Sequence, residues 1–312
     1  MSLAIFIVRR VLTTVPLLLM VMLATFALMR GIGGSPFRPP EGYVVIPGPL
    51  QRTLSHFYHL DDPWFVQYAI YVENVFTFNF GPSMVFRSLD VSDVIRQSFP
   101  VTIELVLLAT AWAVPLGIGL GVLAGTRRNS VADLLATSTA TVIFVVPVFF
   151  VAFVFSKYLV SEWQVFPSGW ESWQAKILPS FALALAPAGY IARLIRGAVV
   201  ETLQEDYVRT ARAKGLRQRR IIFVHVLRNS VVPFLSAAVP MLALLITGAF
   251  FVEDFFAIPG VSSFFVQAAE TRDYPLLMGL TVALAIVVLA ANLVSDILLA
   301  LADPRVREAM RV

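Results

Sequence analysis

Residues 99–124 read FPVTIELVLLATAWAVPLGIGLGVLA, a run of 26 residues in which Glu104 is the single charge. An α-helix rises 1.5 Å per residue, so about 20 apolar residues cross a hydrocarbon core about 30 Å thick. Inside a bilayer every backbone N–H and C=O needs an internal partner, and a single segment satisfies that condition only as a helix. The stretch is therefore expected to span a membrane. Stretches at about 9–30, 132–157, 176–196, 230–252 and 275–300 read the same way. The expected fold class is all-α, an integral membrane protein with six transmembrane helices.

Composition agrees. Of 312 residues, 58% are hydrophobic and 14% charged, against about 45–50% and 25% in soluble domains. The absence of cysteine excludes disulfides, thiolate metal sites and cysteine nucleophiles. The first apolar run follows Arg9 and Arg10 and continues from Val11 to Met29. That exceeds the apolar core of a cleaved signal, about 7–15 residues, so it reads as a retained first span. A net charge of +4 raises nucleic acid as a partner. The basic residues, however, flank the apolar stretches, where they orient a membrane protein, and no nucleic-acid partner is expected.

With six spans, Arg9, Arg10, Arg127, Arg128, the cluster from Arg193 to Arg228, and Arg305, Arg307 and Arg311 fall on one side. By the positive-inside rule that side is the cytoplasm, and both termini lie there. Glu41, Asp61, Asp62, Glu73, Asp90, Asp93, Glu253, Asp254, Glu270 and Asp273 collect on the other. The chain is read as one permease domain, 1–312: a first helix (1–30), an outer segment (31–98), and a five-helix core (99–312) with an inner loop at about 197–229.

The outer segment carries Pro36, Pro39, Pro40, Pro47, Pro49, Trp64 and Tyr68, and is expected to form a small cap with some helix whose aromatics pack a mini-core. In the inner loop Val200, Leu203, Tyr207, Val208 and Ala211 recur at helical spacing, and Gly215 after Lys214 is a natural helix stop. Ile221, Ile222 and Val226 lead into the fifth span, with Asn229 or Ser230 as its cap ahead of Pro233. The loop thus reads as a helical knob flanked by Arg209, Arg212, Lys214, Arg217, Arg219 and Arg220. It suits either contact with anionic lipid or docking in a groove on a partner protein.

The run Asp206-Tyr207-Val208-Arg209-Thr210-Ala211-Arg212-Ala213-Lys214-Gly215-Leu216, followed by His225, Arg228, Asn229 and Pro233, resembles the coupling loop of peptide-importer permeases of the ABC superfamily. Tyr58-His59-Leu60-Asp61-Asp62-Pro63-Trp64, Gln67-Tyr68 and Phe80-Gly81-Pro82-Ser83 are similar to the outer segment of the oligopeptide permease B-type subunit. Ile258-Pro259-Gly260, Arg272-Asp273-Tyr274-Pro275 and Asp303-Pro304-Arg305 extend the resemblance. The chain departs from the general permease pattern at Arg209 and Thr210, where a glutamate and an alanine are usual, and at Gly33-Gly34-Ser35-Pro36, where much of the wider branch has Gly-Asp-Pro.

The resemblance implies a type I ABC importer permease fold in the bacterial inner membrane and peptide import by alternating access, with oligopeptides as the solute. It implies as partners a homologous second permease, two cytoplasmic ATPase subunits, an extracytoplasmic peptide-binding protein and membrane lipid. The coupling residues would be Tyr207, Val208, Thr210, Ala211, Arg212, Ala213, Lys214, Gly215 and Leu216, with Tyr207 and Leu216 as anchors and the small residues allowing close approach. No Gly-x-x-x-x-Gly-Lys-[Ser/Thr] stretch occurs, so ATP and Mg²⁺ would sit on partner subunits and this chain would bind no cofactor or metal. Zinc-protease and Gly-x-Ser-x-Gly patterns are absent too.

Glu104 and Asp296 are the deep ionisable residues, each read as alone, and no catalytic site is expected. Pro115, Pro147, Pro187 and Pro240 are candidate kinks, and Gly117, Gly119, Gly121 and Gly125 candidate close-packing positions. A dipeptide or nickel permease, a self-contained secondary transporter or channel, and a membrane scaffold are the competing readings.

Overall fold

The computed structural model of the chain describes residues 3–31, 48–85 and 89–302. Pro36, Pro39, Pro40, Pro47, Glu41, the Gly33–Pro36 stretch and Asp303-Pro304-Arg305 with Arg307 and Arg311 lie outside the described residues. The described chain is helical, with one isolated antiparallel bridge between Pro82 and Asp90. In order the helices are α1 (Leu3–Gly31), α2 (Gly48–Phe57), α3 (Trp64–Phe76), α4 (Val91–Thr126), α5 (Val131–Val145), α6 (Val148–Val154), α7 (Trp173–Thr202), α8 (Asp206–Ala213), α9 (Gln218–Arg220), α10 (Leu227–Phe255), α11 (Val261–Thr271) and α12 (Tyr274–Ala302). Parts of α1, α4, α7 and α12 are long and apolar enough to cross a membrane. The expected fifth span falls on α10, whose 29 residues extend about 43 Å.

The expected third span is present as a bent pair: α5 ends at Val145, and the segment Val148–Glu162, which together with α5 is long and apolar enough to cross a membrane, leaves it at 91°. Pro147 disfavours the helical conformation for the residue before it, and Val146 is extended, at φ −66°, ψ 123°. The 15 residues of α5 rise only about 22 Å. The chain continues through α6 into a π-helix at Phe155–Glu162. There Ser156 Oγ donates to the Phe255 carbonyl at 2.7 Å, and Phe149 and Phe153 pack their rings on Phe251 and Phe255.

The expected cap of the fifth span at Asn229 or Ser230 is corrected. The helix begins at Gln218, runs through a π-helical stretch Ile221–Val226 and enters α10 without a break. Its start follows the extended Arg217, at ψ 138°. Val200 belongs to α7, and Leu203 caps it, so the fourth span is longer than expected.

Two compact units divide the chain: Thr102–Pro259 with the chain from Ala291 onward, and Leu3–Val101 with Gly260–Ala290. In the first, α7 is the central helix and three neighbours meet it at glycines. A Cβ built on Gly117, Gly121 or Gly125 of α4 would lie 2.6–2.7 Å from side-chain or backbone atoms of the Ile191, Ile195 and Val199 turns. Gly189 of α7 lies against the Ala140 carbonyl of α5, and Gly248 of α10 against Leu183. Lipid tails are as apolar as leucine, so helices in a membrane associate by such close van der Waals packing. Gly119 has open space around it and takes no part in the seam.

In the second unit Met22 and Phe26 of α1, Tyr71 and Val75 of α3, and Val282 of α12 form a core. Tyr68 Oη donates to the Leu19 carbonyl at 3.0 Å and Tyr71 Oη to that of Met278 at 3.3 Å. Tyr68 thus joins the expected mini-core, whereas Trp64 is 57% exposed. Gln67 Nε2 donates to the Leu60 and Asp62 carbonyls, pinning the turn that carries the positive-φ His59. Asp273 is fully buried and accepts from the Ser83 hydroxyl, the Val85 N–H at 3.1 Å and the Leu276 N–H at 3.2 Å, so one carboxylate caps α12 and anchors the 83–85 segment. The Arg272-Asp273-Tyr274-Pro275 run has a physical reason here.

Candidate docking site

Three residues after α7, the chain turns into α8, an eight-residue helix with two faces. Val208 is fully buried and Ala211 nearly so, and α8 lies against the π-helical stretch in which Ile221 and Val226 are also fully buried. Tyr207, Arg209, Thr210, Arg212, Ala213, Lys214 and Gly215 are exposed, and Leu216 is half-buried. The nine expected coupling residues therefore split: Val208 and Ala211 seat the knob on the chain's own helix, and six of the others form its outer face. The small side chain at Ala211 permits that internal contact.

α8 ends as its sequence dictates. The Gly215 N–H donates to the Arg212 carbonyl at 2.9 Å and the Leu216 N–H to that of Ala211 at 3.3 Å, the bond pair of a glycine-terminated helix in which Leu216 folds back on the last turn. Gly215 has φ +74°, a conformation that costs any residue with a Cβ. A 3.4 Å ion pair between Arg209 and Asp206 is exposed and adds little. The knob presents the Tyr207 ring, the Arg209 and Arg212 cations and small residues at the surface, and aromatic and arginine side chains are enriched at protein interfaces.

Polar contacts tie the knob's supports together. Thr202, the last residue of α7, lies 3.5 Å from Ser230 of α10, hydroxyl to hydroxyl. One turn and a half earlier, Arg196 holds Asp133 of α5 through two bonds, Nε at 2.7 Å and Nη2 at 2.9 Å. Asp133 also accepts from the Asn129 N–H and the Thr137 hydroxyl, and it follows the Ser130 cap by three residues. The helix-start pattern was visible in the sequence, but its partner 63 positions away was not.

Two further carboxylates have partners that the sequence did not reveal. Glu104 is paired: Lys176 Nζ lies at 2.6 Å and Trp170 Nε1 donates at 3.0 Å. Glu253, assigned to the outer face by charge alone, is 1% exposed and accepts from Thr102 Oγ1 at 2.5 Å. These carboxylates bind helix to helix and do not assemble a nucleophile with a base, so their chemistry is structural.

Long apolar helices, glycine seams at a central helix and an external helical knob define a multi-pass helical membrane protein. Residues 117–308 match the family of binding-protein-dependent transport system inner membrane components, and the chain belongs to that family. It is 39% identical over 291 residues to the dipeptide transport system permease protein DppB of Bacillus subtilis, spanning 93% of this chain and 94% of the relative. To the oligopeptide transport system permease protein OppB of Escherichia coli it is 36% identical over 306 residues, 97% of this chain and 99% of the relative. Its fold is that of the inward-facing MetNI methionine ABC transporter, at TM-score 0.54 and 15% identity, over 67% of this chain and 96% of that one. The chain is thus a membrane-spanning permease subunit of a binding-protein-dependent transport system and works as part of a complex.

Proposed function

We propose that this subunit passes peptides across the inner membrane by alternating access, with oligopeptides as the solute. The observation that carries the reading is the 36–39% identity to peptide permeases over 93–97% of the chain. That similarity takes in the outer segment, which precedes the family match at residue 117. Dipeptides are the second reading, favoured by the higher identity, 39%, to DppB of Bacillus subtilis.

In this reading the α8 end of the molecule faces the cytoplasm, as do both termini, because the Arg-rich loops collect there. Two cytoplasmic ATPases hold ATP and Mg²⁺, and a homologous permease completes the pathway. A peptide-binding protein delivers the solute from outside. Tyr207 inserts into a groove of the ATPase while Ala213 and Gly215 let the backbones approach, and the arginines steer the encounter. Movement of the ATPase reaches α7 through the α8 connection and is passed to α5 by the Asp133–Arg196 pair. The chain itself performs no chemistry.

Gentle purification of the tagged chain from its native membrane, followed by mass spectrometry, tests the assignment. Co-purification of a homologous permease and P-loop ATPases is the expected result. A chain that purifies alone and conducts solute in liposomes without ATP would replace the importer reading with a channel or secondary transporter.

A further inference from the structure

α7 is buried along most of its length, and its less buried line runs through Ala186, Tyr190, Arg193 and Gly197. Between Ala175 and Val200, Arg193 is the one residue of the helix that is exposed. Its guanidinium lies 4.4 Å over the Phe144 ring, and that ring stacks on Tyr190 at 6.0 Å and 26°. A Cβ built on Gly197, one turn away, meets nothing within 4 Å, so the cation borders open space. Among the described residues no carboxylate lies within 4.0 Å of Arg193, whereas Arg196 is taken up by Asp133.

Arg193 stands about two turns in from the end of its helix. The Arg127–Arg128 turn shares a surface depression with Val200, Leu203 and Gln204, which sets the level of that helix end. Arg193 precedes Val200 by seven residues, about 10 Å along the axis. A cation at such depth is costly, and within membrane helices such residues mark solute routes. The aromatic stack orients the planar guanidinium and leaves its N–H edges free for a carboxylate, which it grips with two parallel bonds.

We propose that Arg193, oriented by Phe144 and Tyr190, is a carboxylate-recognising step on the solute route of this permease, and that it reads the C-terminal carboxylate of a passing peptide. Every unmodified linear peptide carries that group whatever its side chains, so the contact is compatible with broad sequence tolerance. The inference rests on the peptide reading above.

The test uses the complete complex in proteoliposomes, with trialanine, its C-terminal amide, and an amidated peptide bearing one internal glutamate. Wild type is expected to import the free acid, and R193Q to lower the free-acid-to-amide uptake ratio about tenfold, the usual scale for one charge-assisted contact. R193K should keep part of the ratio. A ratio unchanged in R193Q overturns the proposal, as does restoration of full preference by the internal glutamate alone. No uptake of any peptide by wild type would instead overturn the peptide reading, and this proposal with it. Because the chain has no cysteine, R193C adds a second measurement. Its labelling by a water-soluble thiol reagent should be slowed by trialanine, and a residue that stays unlabelled in every state of the complex is not on the route.

Discussion

Gly121→Ala adds one methyl group to the α4–α7 seam of the core. The new Cβ would stand 2.7 Å from the Ala192 carbonyl oxygen and from Ile195 Cβ, about 0.8 Å inside an ordinary contact of about 3.5 Å. One obstacle is backbone and the other a branched carbon next to it, so α4 must retreat. If Ile191, Ile195 and Val199 each turn about 15 atom pairs toward α4 at about 0.15 kcal/mol, the seam holds about 7 kcal/mol. A gap of 0.5–1 Å forfeits about a quarter to a half of that, roughly 2–3.5 kcal/mol. The gain in helix propensity from glycine to alanine, about 1 kcal/mol, leaves a net loss of about 1–2.5 kcal/mol. Gly119→Ala makes the same chemical change where nothing lies within 4 Å, and should be neutral or stabilising by up to about 1 kcal/mol. Thermal unfolding of the two variants in detergent, followed by tryptophan fluorescence, measures the contrast. Equal midpoints would refute the glycine-seam account.

Asp133→Asn leaves Arg196 without its counter-charge and should cost about 3 kcal/mol, the lower end for a broken buried pair, because Arg196 is one-third exposed. The double variant D133N/R196Q should cost less than the sum of the single changes, and a double-mutant cycle of unfolding midpoints reads the difference. Asp273→Ala leaves the Ser83 hydroxyl and two backbone N–H groups without their acceptor, a loss of about 3 kcal/mol. It should speed protease cleavage between α3 and α4 in spheroplasts, and unchanged cleavage would contradict the anchoring role. Gly215→Arg combines a strained φ with bulk at the docking face, and should uncouple ATP hydrolysis from uptake. Normal uptake by that variant would remove α8 from the coupling path.

Patterns that are local in the sequence were legible there. Six apolar stretches indicated helices because hydrocarbon length and backbone hydrogen bonding leave one solution, and helices stand at all six places. The knob was legible too, since glycine after a short amphipathic run stops a helix wherever it lies. What stayed hidden depends on distant partners. Glu104 read as alone because Lys176 and Trp170 approach it only in three dimensions. Val208 and Ala211 read as candidate docking residues because the period marks an apolar face without saying what covers it. Pro147 signalled a kink, but the 91° turn depends on what α6 and the following π-helix find to pack against at the end of α10. Asn229 and Ser230 looked like a cap, but the helix had already begun at Gln218.

The most direct test of the central claim is uptake of labelled tri- and tetrapeptides into proteoliposomes that hold the purified complex, its binding protein outside and ATP at the α8 face. The account predicts accumulation against a gradient that requires hydrolysable ATP and stops when the binding protein is left out. Equilibration of peptide without ATP, or ATP hydrolysis that no peptide accompanies, would contradict it.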